Sequence, residues 1–293
     1  MPKVGMVPLR VLSLFDGISC GRLALARAGI HVAEYLSSEI DEAAIKVAQK
    51  NHPTTIQLGD VQNLKGSKIG KVDLLIGGPP CQSFSRCGDG KGFEDVRGGL
   101  LLHWVRLLRE LKPRYFLMEN VGMRASDADR VTGLLGVDPL WLDSALVSAQ
   151  SRKRMYWTNI PQNGQPVDKG LLLKDILESI PPQWPEGKPH WRYARPTRTG
   201  IVNKGGQGDR IYSPFGKSIT LSAYSGGTAG AGNMLVGYPE CWRKLTDEEC
   251  EALQTLPRGY TACVSSSMRR KLIGNGWTVD AVAHLLGGIK NPR

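Results

Sequence analysis

Leu9-Arg10-Val11-Leu12-Ser13-Leu14-Phe15-Asp16-Gly17-Ile18-Ser19-Cys20-Gly21 is the stretch from which the fold can be read. Leu9 to Phe15 has the apolar density of a buried strand, and Asp16-Gly17 ends it. Gly21 to Ala28 then reads as a helix stopped by Gly29. The same unit recurs. Tyr35-Leu36 runs through Ser37-Ser38 to Glu39, a second strand with an acid at its end. Asp41 caps a helix reaching Lys50, and Pro53 lies beyond it. Thr55 to Leu58 is a third strand ending at Gly59-Asp60, and Leu74 to Ile76 a fourth. Leu100 to Leu111 has the spacing of a helix, stopped by Pro113. Tyr115 to Met118 is a fifth strand running into Glu119-Asn120.

Strands alternating with helices in this way define an α/β chain built on a doubly wound, mostly parallel sheet. Ligands of such sheets gather at the carboxyl ends of the strands. Asp16, Glu39, Asp60, Cys81 and Glu119 all follow strand ends, so they are expected on one rim.

The chain has 293 residues, enough for one large domain or two modest ones. Its 38 Lys+Arg against 27 Asp+Glu leave a formal charge of +11, which favours a polyanionic partner, nucleic acid first. Six cysteines show no C-x-x-C pair and no zinc spacing, and the five histidines show no ligand spacing, so no metal is expected. Free thiols fit a reducing compartment. Without a signal-peptide or membrane-spanning run, a cytoplasmic protein is expected, with no membrane partner.

Between about Pro161 and Trp242 the character changes. Prolines 181, 182, 185, 189 and 196 and glycines 205, 206, 208, 226, 227, 230 and 232 suggest a small, irregular β-rich or loop-rich region. Residues 1–160 and 243–293 then form one discontinuous domain around the insertion 161–242.

Four short stretches carry candidate chemistry. Pro79-Pro80-Cys81-Gln82 follows Val72 to Ile76 and Gly77-Gly78, so the strand stops abruptly and Cys81 starts a loop. A thiol there is a nucleophile or a structural cysteine; a nearby carboxyl, for which Glu119 is placed, favours nucleophilic work with acid assistance. Phe15-Asp16-Gly17-Ile18-Ser19 lacks the G-x-G-x-x-G of a dinucleotide site, yet Glu39 stands where ribose hydroxyls would be met and Asp60 where an adenine amine would be. A plain tight turn with two capping acids reads equally well. Gln150-Ser151-Arg152-Lys153-Arg154 would put both arginines on one face of a strand, to hold a base carbonyl or a phosphate, or else is a basic surface strand. Gly274-Asn275-Gly276-Trp277 opens the last helix, near Val279 to Leu286, and could close a ligand pocket.

Together these motifs, in this order, resemble the C5-cytosine DNA methyltransferase family over nearly the whole chain outside 161–242. Phe15-Asp16-Gly17, Glu39 and Asp60 resemble its first three motifs. Pro80-Cys81-Gln82 resembles the nucleophile motif, Glu119-Asn120-Val121 the ENV motif and Gln150-x-Arg152-x-Arg154 the Q-x-R-x-R motif. Arg243-x-Leu245-Thr246 to Pro257 is similar to the ninth motif and Gly274-Asn275 to the tenth. Ser19-Cys20 stands where a glycine pair is usual; this and Trp277-Thr278-Val279 lean toward the eukaryotic de novo branch.

The resemblance implies a Rossmann-like S-adenosylmethionine-dependent methyltransferase fold and duplex DNA as substrate, with the target cytosine flipped from the stack. Cys81, Glu119, Arg152 and Arg154 would be catalytic. Phe15, Asp16, Gly17, Ile18, Ser19, Glu39, Ile40, Asp60, Val61, Pro80, Asn275 and Trp277 would bind the cofactor, and Gln82, Ser83 and Ser85 the DNA. Cys81 would attack C6 while Glu119 meets N3 and the exocyclic amine. Residues 161–242 would be the target-recognition region, with Arg192, Arg195, Arg198, Lys204, Arg210 and Lys217 as candidate DNA contacts. A bacterial or phage source is expected. A catalytically silent DNA-binding relative and an RNA cytosine-5 methyltransferase are the alternatives. A cognate restriction endonuclease and the oligomeric state are left open.

Overall fold

The structure, a computed structural model, describes residues 7–80, 96–179, 195–224 and 226–289. The chain divides into two compact units, Met1–Leu142 with Lys153–Gln165 and Val282–Arg293, and Asp143–Arg152 with Pro166–Ala281.

The first unit contains β1 (Leu9–Leu14), α1 (Cys20–Arg27), β2 (Val32–Ser38), α2 (Glu42–Asn51), β3 (Ile56–Gln57) and α3 (Gly66–Ile69). It continues with β4 (Leu74–Gly77), α4 (Val96–Leu111), β5 (Tyr115–Val121), α5 (Ala125–Leu135), β6 (Leu140–Asp143) and β7 (Lys153–Thr158). The sheet order is β3-β2-β1-β4-β5-β7-β6. β1 to β5 run parallel, and β7 is antiparallel to β5. The α/β class and the mostly parallel sheet are as expected.

Strands covered on both faces must be apolar throughout, and β1 is buried at every position but Arg10. That exception is satisfied at the strand's start. Its guanidinium pairs with Glu34 and donates to the carbonyls of Ile69 and Lys71 at 2.6 and 2.8 Å. Leu12, Leu14, Leu75, Phe116, Met118, Met155 and Trp157 pack with Leu101, Trp104, Val131 and Leu135 of α4 and α5 into the main core. Gly77 is required by close approach: a Cβ there would stand 2.5 Å from the Leu14 carbonyl oxygen and 2.9 Å from the Trp104 indole nitrogen.

The second unit holds β8 (Arg198–Ile201), β9 (Arg210–Tyr212), β10 (Leu235–Tyr238) and β11 (Cys241–Lys244), in the order β11-β10-β9-β8. A small core of Ile211, Ala229 and Leu235, flanked by Val202 and Trp242, supports this sheet. α6 (Asp247–Leu253) starts at a reciprocal cap: the Thr246 hydroxyl accepts from the Glu249 amide at 3.2 Å, and Glu249 accepts from the Thr246 amide at 2.8 Å. α7 (Ser266–Asn275) follows, and the boundary between the units falls within α8 (Val279–Leu286), after Ala281. Gly274-Asn275 therefore ends α7 rather than opening the last helix. Among the described residues, no helix is long and apolar enough to cross a membrane.

His52, at the end of α2, is lowered from 6.5 to about 4 by burial, with the Arg22 charge adding to the effect. The unfolded chain takes up that proton near 6.5 and the folded chain resists it until about 4, so acidification through this window favours unfolding. His52→Asn should remove part of that slope, on the order of 1 kcal/mol between pH 7 and pH 5 after solvent screening at a partly exposed ring. Thermal melts of wild type and variant at the two pH values measure it.

Candidate active site at the carboxyl edge of the sheet

Register places the candidate acids. Leu14 pairs with both Ser38 and Gly77, and Gly77 pairs with Met118, so these four residues share one level across the sheet. Glu39 and Glu119 follow that level by one residue and Asp16 by two. Glu119 lies within β5, because β7 continues the pairing as far as Val121 opposite Arg154.

The loop after β1 has an uncommon backbone. Phe15, Gly17 and Ser19 take φ of 55°, 57° and 59°, the left-handed region. The Gly17 amide donates to Glu39 Oε2 at 2.8 Å, and nothing lies within 4 Å of where a Gly17 Cβ would point. Glu39 Oε1 accepts from the Ile40 and Asp41 amides at 2.8 and 2.9 Å. Three of roughly four acceptor positions are thus used, and one on Oε2 can meet a hydroxyl. Ile40 is 70% exposed beside it, an apolar surface for an aromatic ring, while Ile18 and Val61 are buried beneath the loops. Asp60 caps a short 3-10 turn, accepting from the Gln62 amide at 2.9 Å. An open glycine loop, an acid with a spare acceptor and an exposed aliphatic side chain fit an adenosyl cofactor.

Asp16 behaves differently. Its Oδ1 accepts from the Tyr35 hydroxyl at 2.8 Å, and its Oδ2 from the Ser37 hydroxyl at 3.1 Å and from the Ser19 hydroxyl. Burial pushes its carboxyl above the usual range, and the hydroxyls of Ser13, Ser19, Tyr35 and Ser37 oppose that rise. Tyr35 and Ser37 were not anticipated; two polar residues spaced i, i+2 in a buried strand were the available signal.

On the neighbouring strand, Arg154 Nε lies 3.0 Å from Glu119 Oε1, and both side chains are only slightly exposed. Asn120, the middle residue of the ENV stretch, donates from Nδ2 to the Pro79 carbonyl at 3.4 Å, tying β5 to the segment after β4. Pro80 is half-buried beside it. Cys81, Gln82, Ser83 and Ser85 lie outside the described residues.

Arg152, Asn275 and Trp277 belong to the second unit. Arg152 does not share a strand face with Arg154, because β7 begins at Lys153. Its guanidinium is buried and donates to the carbonyls of Leu221, Gly274 and Gly276 at 3.1, 3.2 and 3.0 Å. Gln150 reinforces the same region, accepting from the Leu221 amide at 2.9 Å and donating to Gln254 at 3.2 Å. Asn275 is exposed and Trp277 half-buried. Among the basic residues considered for DNA, Arg195, Arg198 and Lys204 are exposed, and Arg192 lies outside the described residues. Lys217 is a correction. Only 3% exposed, it donates to the carbonyls of Ala145 and Ser148, so its ammonium is spent inside the protein rather than on phosphate. The described residues contain no group of three or more His, Cys, Asp or Glu placed to hold a metal ion.

The sheet, with its antiparallel seventh strand and acids at the carboxyl edge, is that of a Rossmann-like methyltransferase. The family model for C-5 cytosine-specific DNA methylase matches residues 9–132 and 190–291. The type II methyltransferase M.HhaI of Haemophilus parahaemolyticus is 33% identical over 94% of this chain and 93% of its own. The orphan methyltransferase M.Rho11sI of Bacillus phage rho11s is 46% identical over 59% of this chain and 35% of its own. Among solved structures, the Entamoeba histolytica methyltransferase EhMeth superposes with a TM-score of 0.75 at 15% identity, covering 96% of this chain and 98% of that one. The chain belongs to the C-5 cytosine-specific DNA methylase family. It is an enzyme of DNA methylation, and its cofactor is S-adenosylmethionine.

The two arginines of the Q-x-R-x-R stretch should separate experimentally. Arg152→Met takes the guanidinium donor from the buried carbonyls of Leu221 and Gly274, leaving Gly276 its Gln254 donor, and should lower stability by about 2–3 kcal/mol, whereas Arg154→Met should cost about half that or less. Urea titrations of both variants test the difference.

Proposed function

We propose that this chain methylates C5 of a cytosine in duplex DNA, with Cys81 as nucleophile and Glu119 as the group that meets the ring at N3. The observation that carries the reading is the Glu119–Arg154 pair, 3.0 Å apart at the level where β4 gives way to Pro79-Pro80-Cys81. S-adenosylmethionine, when bound, supplies an electrophilic methyl group. The protein's own part is to make C5 nucleophilic. Addition of the Cys81 thiolate to C6 does so, because the electron pair of the C5–C6 double bond is displaced onto C5. Glu119, hydrogen-bonded at N3 and the exocyclic amine, holds the ring and supports the charge that develops there. Arg154 orients the Glu119 carboxylate and is within reach of the base. Loss of the C5 proton and departure of the thiolate restore the ring.

The loop from Phe15 to Ser19, with Glu39, Ile40, Asp60, Val61 and Pro80, is assigned to the cofactor site as a unit, and Asn275 and Trp277 are added on their motif alone. Gln82, Ser83 and Ser85 are assigned to DNA. Residues 161–242, which from Pro166 on belong to the second unit, are proposed to read the target sequence. The exposed Arg195, Arg198 and Lys204 are proposed to meet phosphate, which predicts binding that weakens steeply with salt. Arg152 is a positioning residue through its three carbonyl contacts.

Labelled methyl incorporation into mixed-sequence duplex DNA tests the reading, with bisulfite sequencing to report the site. Wild type should label DNA and form a covalent adduct with 5-fluorocytosine DNA. Cys81→Ser should do neither, and a serine variant retaining full activity would sink the mechanism.

A further inference from the structure

Three residues of the loop after β1 sit in left-handed backbone at alternating positions, and only one of them is glycine. For Phe15 and Ser19 that conformation is strained, so something must hold it. Asp16, between them, is fastened at every polar atom. Its amide donates to the Ser38 carbonyl at 3.3 Å, and its own carbonyl accepts from the Ser19 amide at 3.1 Å. Both carboxylate oxygens are taken by the hydroxyls of Tyr35, Ser37 and Ser19. The carboxylate is therefore turned into the protein, away from any ligand in the loop's mouth; the residue is 9% exposed.

The anchor is itself anchored. Tyr35 and Ser37 stand two apart on β2, on one face. The Arg22 guanidinium lies 5.3 Å from the Tyr35 ring centroid and donates to the Thr54 hydroxyl at 2.6 Å, so the tyrosine is packed by α1 and the loop before β3. The next residue in the loop, Gly17, is held by Glu39, which immediately follows β2. β2 thus fixes the loop at two points, Asp16 from below and Gly17 from its end. Ser19 stands at a position where the family usually has glycine. Its hydroxyl bond to Asp16 offsets the strain that glycine would have avoided.

We propose that Asp16 is a positioning residue that holds the Phe15–Ser19 loop in its cofactor-binding shape through Tyr35, Ser37 and Ser19, and is not itself a cofactor ligand. This rests on the reading of that loop as the S-adenosylmethionine site. It makes Tyr35 and Ser37, which touch no substrate, determinants of cofactor affinity.

The test is equilibrium binding of S-adenosylmethionine to the full chain, with duplex DNA binding and thermal melting measured on the same samples. Tyr35→Phe removes one hydroxyl and keeps the ring under Arg22. It should weaken cofactor binding about five- to tenfold, the upper part of the net worth of one ordinary intramolecular hydrogen bond. Ser37→Ala should act in the same direction. Asp16→Asn, which still accepts at one oxygen, should weaken binding less than Asp16→Ala. Combining Asp16→Ala with Tyr35→Phe should add little to Asp16→Ala alone, because both break one connection. DNA affinity should stay within about twofold of wild type, a change of under half a kcal/mol.

If Tyr35→Phe and Ser37→Ala melt earlier but bind the cofactor as wild type does, the hub is merely structural and the proposal fails. It also fails if the Asp16→Ala and Tyr35→Phe effects are fully additive. Wild-type protein that binds no S-adenosylmethionine would instead overturn the functional reading itself.

Discussion

A parallel strand buried on both faces has no place along its length for a charge. In this protein that constraint moves every useful carboxylate to the same edge. The middles of β1, β2, β4 and β5 carry no charge, the Arg10–Glu34 pair lies at the opposite, starting end of β1 and β2, and Asp16, Glu39 and Glu119 appear within two residues of the last common level. The exclusion of charge from the sheet and the gathering of acids at its rim are one fact seen from two sides. Gly77 sharpens the edge further, since its lack of a side chain lets β4 pass close beneath Leu14 and Trp104 before the prolines turn the chain out.

Charge confined to a rim still has to be aimed, and the structure aims it by hydrogen bonds to backbone and hydroxyls. Glu39 is held by three amides, Asp16 by three hydroxyls, and Glu119 by Arg154 from the antiparallel strand. Reversing β7 matters for the last of these. A strand running against β5 brings its first residues to the carboxyl edge, so an arginine at the start of β7 arrives beside an acid near the end of β5. A seventh parallel strand would have delivered its first residues to the opposite edge.

Much of this was legible because period and punctuation are local. The five parallel strands, the helix capped by Asp41, and the acids at strand ends follow from runs of apolar residues and the residues that stop them. What escaped depends on contacts distant in sequence. Asp16 reads as a ligand from its place in the loop; the hydrogen bonds of its carboxylate to Tyr35 and Ser37, about twenty residues away, are not visible from that place. Lys217 looked like a phosphate contact because lysine in a basic region usually is one. Its burial against Ala145 and Ser148 carbonyls cannot be read from its neighbours in sequence. α7 is hard to read from sequence because its apolar positions are few.

The Q-x-R-x-R stretch shows the same limit within five residues. Spacing of two predicts a shared face only if both residues lie on one strand, and here the strand starts between them. Arg152 is left on the irregular side of that boundary, where the carbonyls of Leu221, Gly274 and Gly276 converge and a planar guanidinium can serve several at once. Arg154 falls on the regular side, where pairing opposite Val121 puts it diagonal to Glu119. Two identical side chains thus acquire different work from the backbone on which each stands. A motif of this kind is part architecture and part chemistry, and only the register of the strand tells the two apart.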